Sequence, residues 1–315
     1  MAGLVAVTGA TGFVGTAVVL HLARAGWRVR ILTRRMPQSV LMPEHAIEVV
    51  LGDIDDRASL ERLVAGTDAI VHCAGLTKAL TPIEFFKVNE GGTVRLLEAA
   101  QQAAPGARLV HISSLAAREP ALSPYAASKR AGEDKLPALA GGRDWIALRP
   151  PAVYGPGDLA LLPLFKAAKL GFIAYPASVG ARASTIHVSD LASGIVALLG
   201  KGDWASRLIE PDDEYAGGHD WAEINHVLGA CFGRRPLTFR LPRLLMAAVA
   251  AGVTGVSRLT QTPQVLSSAK VAELYHREWA ASGPRLSETA DWRPRFDLQS
   301  GFADTVNWYR SEALL

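Results

Sequence analysis

Residues 5–15, Val-Ala-Val-Thr-Gly-Ala-Thr-Gly-Phe-Val-Gly, run from an apolar strand through a glycine turn into the start of a helix. That opening is a nucleotide cradle. Gly9 permits a turn that a side chain would block, Gly12 lets backbone N–H groups come close to a pyrophosphate, and Gly15 lets the new helix lie against the strand beneath it. The helix N-terminus, with Thr11, Phe13 and Val14 around it, then faces the phosphates. The same turn also closes ordinary strand-to-helix joints, so the rest of the chain decides its meaning.

The next two hundred residues carry the pattern of a parallel sheet. From Leu4 to about residue 202, apolar β-branched runs alternate with longer segments of helical period, as in a doubly wound α/β (Rossmann) sheet covered on both faces. Six strands are predicted: Leu4–Thr8, Arg28–Thr33, Ile47–Leu51, Ala69–Cys73, Arg108–Ser113 and Trp145–Arg149. A helix over Ala17–Ala25 carries Val18, Val19 and Leu22 on one face and stops at Gly26. Right-handed connections align the strands' C-terminal ends along one edge, where ligands bind. After Pro150 prolines interrupt the chain and the alternation fades, which points to a smaller, mostly C-terminal substrate-binding lobe. The expected division gives residues 1–153 and about 184–210 to the dinucleotide-binding domain, and about 154–183 and 211–315 to the lobe.

Composition removes several classes of function. Of 315 residues, 49% are hydrophobic and 20% charged, and the net charge of +3 forms no basic block, so nucleic acid is not an expected partner. Cys73 and Cys231 lack any ligand spacing, as do the eight histidines, and no metal site is expected; His72, His111 and His187 read as packing residues. A chain that starts directly on a core strand reads as cytoplasmic with reduced thiols. The uniformly apolar run Leu244–Val256, bracketed by Arg243 and Arg258, is shorter than the about 20 residues of a span. Its first reading is a core or substrate-lid helix, and its second is contact with a membrane surface.

The cofactor reading comes from the end of the second strand. Eighteen residues beyond Gly15, where an NAD-binding chain places an acid for the adenosine ribose, stands Thr33, followed by Arg34 and Arg35. A guanidinium suits a 2′-phosphate, so NADP(H) is favoured and NAD(H) is the alternative. Asp53 and Ile54 follow the third strand, where a carboxylate meets the adenine amino group and an aliphatic side chain packs on the ring; capping of the helix near Arg57 is the other reading of Asp53. Cys73, Ala74 and Gly75 supply the small residues needed beside a flat ligand, and Asn89 reads as a buried amide tying neighbouring strands together.

Tyr125 and Lys129 lie four apart behind Ser123 and Pro124, an N-cap and first-turn pair, so one helix face carries both. An ammonium there is expected to lower the phenol's pKa and make it a proton donor or acceptor for a carbinol oxygen. Ser113 and Ser114 end the preceding strand, either able to hydrogen-bond the same oxygen. In this order the motifs resemble the extended branch of the short-chain dehydrogenase/reductases, the NAD(P)-dependent epimerase/dehydratase family. Residues 8–15 are similar to its fingerprint, 52–54 to its adenine motif, 88–93 to its asparagine segment, 149–156 to the loop beneath the nicotinamide with Pro150 and Val153, 186–192 to the strand-to-helix return after that loop, and 292–309 to its closing helix. The resemblance implies hydride transfer at a secondary alcohol or ketone: Tyr125 exchanges the proton, Ser114 orients the oxygen, and Lys129 tunes the phenol and holds the nicotinamide ribose. It also implies helix-paired homodimers, although no interface is legible.

Two departures bear on the substrate. Only eleven positions separate Ser114 from Tyr125, and residues 181–185 lack the Arg-Asp-aromatic pattern of sugar-nucleotide epimerases, leaving Arg182 as the local diphosphate candidate. An oxidoreductase on a small molecule is therefore the first reading, with a lipid, isoprenoid, steroid-like or quinone-like substrate suggested by the apolar run. A nucleotide-sugar epimerase or dehydratase with retained cofactor, and a non-catalytic cofactor-binding subunit or redox sensor, are the alternatives.

Overall fold

The computed structural model describes residues 3–36, 47–176, 178–204, 207–262, 266 and 268–315. Its centre is a parallel sheet of seven strands. These are β1 (Leu4–Thr8), β2 (Arg28–Thr33), β3 (Ile47–Leu51), β4 (Ala69–His72), β5 (Arg108–Ile112), β6 (Trp145–Leu148) and the short strand Arg207–Ile209. They lie in the order Arg207–Ile209, β6, β5, β4, β1, β2, β3. The first three match the predicted ranges, and the next three stop one residue early. Cys73 and Ser113 still donate their backbone N–H groups to the neighbouring Thr8 and Leu148 carbonyls, but each chain then turns away over the edge. The seventh strand is not among those predicted. Its pairing with β6 is what holds it in the sheet.

Among the helices between these strands are α1 (Phe13–Arg24), α2 (Arg57–Val64), α3 (Pro82–Asn89), α4 (Gly91–Ala103) and α5 (Pro124–Asp134). α1 begins four residues before its predicted start, because the glycine turn already sets its first turn, and Gly26 at φ +83° ends it. Apolar residues of the strands divide between two cores. On one face Val5, Val7, Ile31, Val71 and Val110 pack with α1 and with Leu191, Ile195 and Leu198 of the later helix Val188–Lys201. On the other, Ala6, Ile70 and Leu109 meet α2 and α4 through Leu60, Leu63, Leu96 and Leu97. Burial on both faces is why these strands read as continuous apolar runs.

A third core gathers the chain after Pro150. Tyr154, Phe165, Phe302 and Tyr309 stack edge to face with Ile224 and Leu228 around them. Around this core lie three small sheets, pairing Ala152–Tyr154 with Thr185–His187, Phe172–Tyr175 with Leu237–Arg240, and Arg182–Ala183 with both His219–Asp220 and Glu278–Trp279.

The apolar run lies in an eighteen-residue helix, Arg243–Thr260, and the core reading of it is corrected. Met246 and Ala250 pack on Val271, but Leu244, Leu245, Val249, Val256 and Leu259 are exposed. A helix apolar on every side gives no signal of how narrow its buried stripe is. Among the described residues no helix is long and apolar enough to cross a membrane.

Candidate active site

A crevice opens where the sheet's winding reverses, between the C-terminal ends of β1 and β4. Gly9 leaves β1 at φ +68°, and a Cβ there would lie 2.6 Å from the Ala74 backbone nitrogen; one on Gly15 would run into the Gly9 carbonyl oxygen. Both positions thus exclude a side chain. Thr11 and Gly12 are exposed, Phe13 and Val14 half-buried, no side chain caps α1, and its first turn holds no acid. N–H groups so left at a helix start fit a dinucleotide pyrophosphate.

At the end of β2, the buried Thr33 hydroxyl donates to the Arg35 carbonyl at 2.7 Å and fixes the turn that carries Arg34 and Arg35. Both guanidiniums are exposed, and among the described residues neither has an ion-pair partner. Beyond β3, Asp53 accepts from the Asp55 N–H at 3.1 Å, while Asp56 caps α2 by accepting from Ala58. The capping reading of Asp53 is therefore corrected. Arg95 donates to the Ile54 carbonyl at 3.0 Å and pairs with Asp55, holding this loop against α4.

Beyond β4, the Ala74 N–H donates to the Thr8 hydroxyl at 3.3 Å, and burial pushes the Cys73 thiol up to about 12. Gly75 is exposed, and a Cβ on it would crowd both Asn89 and Lys129. Asn89 is buried as expected, but its connections differ from the reading. It accepts from the Leu76 N–H at 2.7 Å and donates to the Leu76 carbonyl and to Ser128 Oγ at 2.9 Å, tying the loop after β4 to α5 instead of strand to strand.

α5 starts as its sequence requires. Ser123 caps it by accepting from the Ala126 N–H at 3.0 Å, Pro124 occupies the first turn, and Tyr125 and Lys129 share a face. The half-buried Ser114 hydroxyl accepts from the Ala116 N–H at 3.2 Å and is near enough to Tyr125 to favour its phenolate, whereas Ser113 is buried with its oxygen unpartnered among the described residues. Lys129 is buried and donates to the Ile112 carbonyl at 2.7 Å, and desolvation pulls its pKa down to about 8.

The expected lowering of the tyrosine is corrected. Burial pushes Tyr125 up to about 12; the nearby Ser114 hydroxyl opposes this and the Glu273 carboxylate adds to it. Lys129 spends its short bond on Ile112, at the end of β5.

Around this pair the scaffold is fixed by buried charge. Arg149, just past β6, makes a two-pronged bond to Glu133 of α5 at 2.8 and 2.5 Å, with Glu210 3.8 Å away. The buried Pro150 carbonyl accepts from the Leu115 N–H at 2.9 Å, and Val153 packs half-buried on the first core. Arg182 donates to the Gly217 and Gly218 carbonyls at 2.7 and 2.6 Å, so the local diphosphate candidate is engaged within its own fold. His72 and His111 are buried and held neutral by desolvation. Among the described residues no cluster of His, Cys, Asp or Glu has the geometry of a metal site.

Most of the cleft beside Tyr125 escapes the sequence reading. Thr77, Lys78, Phe85 and Tyr125 line a cleft together with Ala269, Lys270 and Glu273. Lys270 sits 5.1 Å over the Tyr125 ring, and Glu273 pairs with Lys270 and accepts from the Ser123 hydroxyl. The only local signal is that Glu273 ends an acid-free stretch, residues 224–272. The cleft wall thus comes from residues 269–273, not from Leu244–Val256.

The model of the NAD-dependent epimerase/dehydratase family matches residues 5–207. The chain belongs to this family. It is an NAD(P)-dependent enzyme of the extended short-chain dehydrogenase/reductase type, among relatives that are reductases, dehydratases and epimerases. It is similar to the ceramide reductase of Caulobacter vibrioides, 41% identical over 318 residues, covering 99% of this chain and 96% of that one. It is also 30% identical over 287 residues to the dTDP-glucose 4,6-dehydratase of an Actinoplanes species, covering 83% and 79%. Its fold matches the structure of MoeE5 in complex with UDP-glucose and NAD at a TM-score of 0.72 and 22% identity, covering 98% and 99% of the two chains.

Proposed function

We propose that this chain is a carbonyl reductase acting on a ceramide-type lipid, reducing a ketone on the lipid to the carbinol with NADP(H) as the favoured cofactor. The observation that carries this reading is 41% identity to the ceramide reductase over nearly the whole of both chains. The cofactor-binding domain would comprise residues 1–153 and about 184–210, and the remaining residues would form a lobe whose segment 269–273 borders the lipid.

Bound in the crevice, the nicotinamide supplies the hydride. Ser114 donates a hydrogen bond to the ketone oxygen and Tyr125 delivers the proton to it. Burial and the Glu273 carboxylate both favour the protonated phenol, which supports a role for Tyr125 as proton donor. Lys129, between Gly75 and Ile112, would hold the nicotinamide ribose, and Thr33, Arg34 and Arg35 would receive the adenosine phosphate. Asp53 and Ile54 would flank the adenine, Cys73, Ala74 and Gly75 the middle of the dinucleotide, and Pro150 and Val153 the nicotinamide. The engagement of Arg182 supports a substrate without a nucleoside diphosphate.

The test is turnover of a short-chain ceramide with one carbinol oxidised to the ketone, monitored by loss of NADPH absorbance. Tyr125→Phe is expected to abolish turnover and leave NADPH binding unchanged, and full activity in that variant would defeat the assignment. A higher kcat/KM with NADH than with NADPH would overturn the role given to Arg34.

A further inference from the structure

We infer that the outer face of the helix Arg243–Thr260 and the strand before it form a docking surface for an anionic phospholipid bilayer. Leu244 and Leu259, at opposite ends of the helix, are each 86% exposed, and Leu245, Val249 and Val256 share their side. On the helical wheel these five residues oppose the buried stripe of Met246, Ala250 and Ser257. A helix whose outer side meets water ordinarily carries charge there. This one, eighteen residues and about 27 Å long, has only apolar and small residues between Arg243 and Arg258.

The strand Leu237–Arg240 extends the same character. All four of its residues are exposed, with Leu237 at 68% and Phe239 at 54%, and Leu237 pairs with the exposed Phe172. The charges on the segments that form this surface are of one sign. Residues 159–189 and 224–272 contain no Asp or Glu, while Arg234, Arg235, Arg240 and Arg243 are exposed and, among the described residues, have no ion-pair partner. Apolar side chains rimmed by cations match the acyl boundary and phosphate layer of an anionic leaflet. A two-fold contact between copies of this chain would bring the same cations together, which disfavours that occupant.

The surface adjoins the cleft. Met246 and Ala250 pack on Val271, whose neighbours Lys270 and Glu273 stand beside Tyr125. A docked enzyme thus holds its cleft at the bilayer, where a ceramide-type substrate resides; that consequence rests on the proposed function, whereas the docking does not.

The experiment is cosedimentation of the full chain, without substrate, with phosphatidylcholine vesicles containing phosphatidylglycerol. Binding is expected with these vesicles and not with phosphatidylcholine alone, falling about fivefold for each of Arg240→Ser and Arg243→Ser. Leu244→Glu with Leu259→Glu, at exposed positions, is expected to abolish binding while preserving thermal stability, NADPH affinity and turnover of a detergent-dispersed short-chain ketone. Absence of binding at low salt would overturn the docking. So would sedimentation as a dimer that the paired glutamate substitution dissociates. Failure of the soluble ketone to turn over, with vesicle binding intact, would count against the substrate and leave the docking standing.

Discussion

Lys129→Met is expected to make the protein more stable while removing its activity. Lys129 is buried on α5, and burial lowers its pKa from 10.5 to about 8. That difference corresponds to roughly 3 kcal/mol of destabilisation wherever both folded and unfolded chains carry the proton. Methionine keeps most of the side chain's volume and removes the charge. It also removes the 2.7 Å bond to the Ile112 carbonyl, a loss of roughly 1 kcal/mol. The net gain below pH 8 is roughly 2 kcal/mol, or roughly 3 °C in melting temperature for a chain of 315 residues.

The pH dependence makes the argument testable beyond a single value. Between pH 8 and 10.5 the unfolded chain still holds a proton that the folded chain has released, so the wild-type protein gains stability as pH rises. The variant has no such group, and its advantage is expected to shrink across that window and reverse at its upper end. Paired denaturant titrations from pH 7 to above 10.5 measure the difference directly, and effects common to both proteins cancel. A variant less stable at pH 7, or an advantage independent of pH, would refute the reasoning.

Three further outcomes are expected at the same site. Glu133→Gln leaves Arg149 with only the more distant Glu210 and is expected to cost about 3 kcal/mol, read as a lower urea midpoint. Gly15→Ala pushes a methyl group against the Gly9 carbonyl, with an expected cost of about 1–3 kcal/mol and weaker NADPH binding by calorimetry, because the turn must shift to accept it. Glu273→Gln removes a carboxylate that raises the Tyr125 pKa, so the alkaline limb of kcat/KM is expected at lower pH; Lys270 and Ser114, which also face Tyr125, remain.

The nucleotide-binding edge is legible in sequence because its determinants are local. Gly9 and Gly15 are required by contacts within a few residues, and Ser123, Pro124, Tyr125 and Lys129 belong to one capped helix. β1, β2 and β3 are long enough for their apolar runs to mark both ends. The three residues Arg207–Ile209 are not, and neither is the Arg182–Ala183 pair, whose neighbours come from residues 219–220 and 278–279. The long helix misleads for a different reason: a run without polar residues has no preferred side, and only the contact with Val271 reveals how little is buried. Lys270 and Glu273 escape notice because nothing near them in the chain indicates a tyrosine reached through the tertiary fold.

That pair alters how the reacting group is understood. Sequence spacing suggests that the helix alone controls Tyr125, with Lys129 one turn away. In the folded chain Lys129 is held to the end of β5, and the tyrosine lies between the Ser114 hydroxyl and the Lys270–Glu273 pair. Glu273 also holds Ser123, the cap of the helix that carries Tyr125, so one carboxylate links the helix start, the cation over the ring and the charge felt by the phenol. In the proposed reduction a protonated phenol is the working form, and a nearby carboxylate favours it. An alcohol oxidation would need the phenolate, which that same carboxylate opposes. The segment that closes the cleft thus biases the site toward proton donation, and it belongs to the part of the chain that also carries the apolar face.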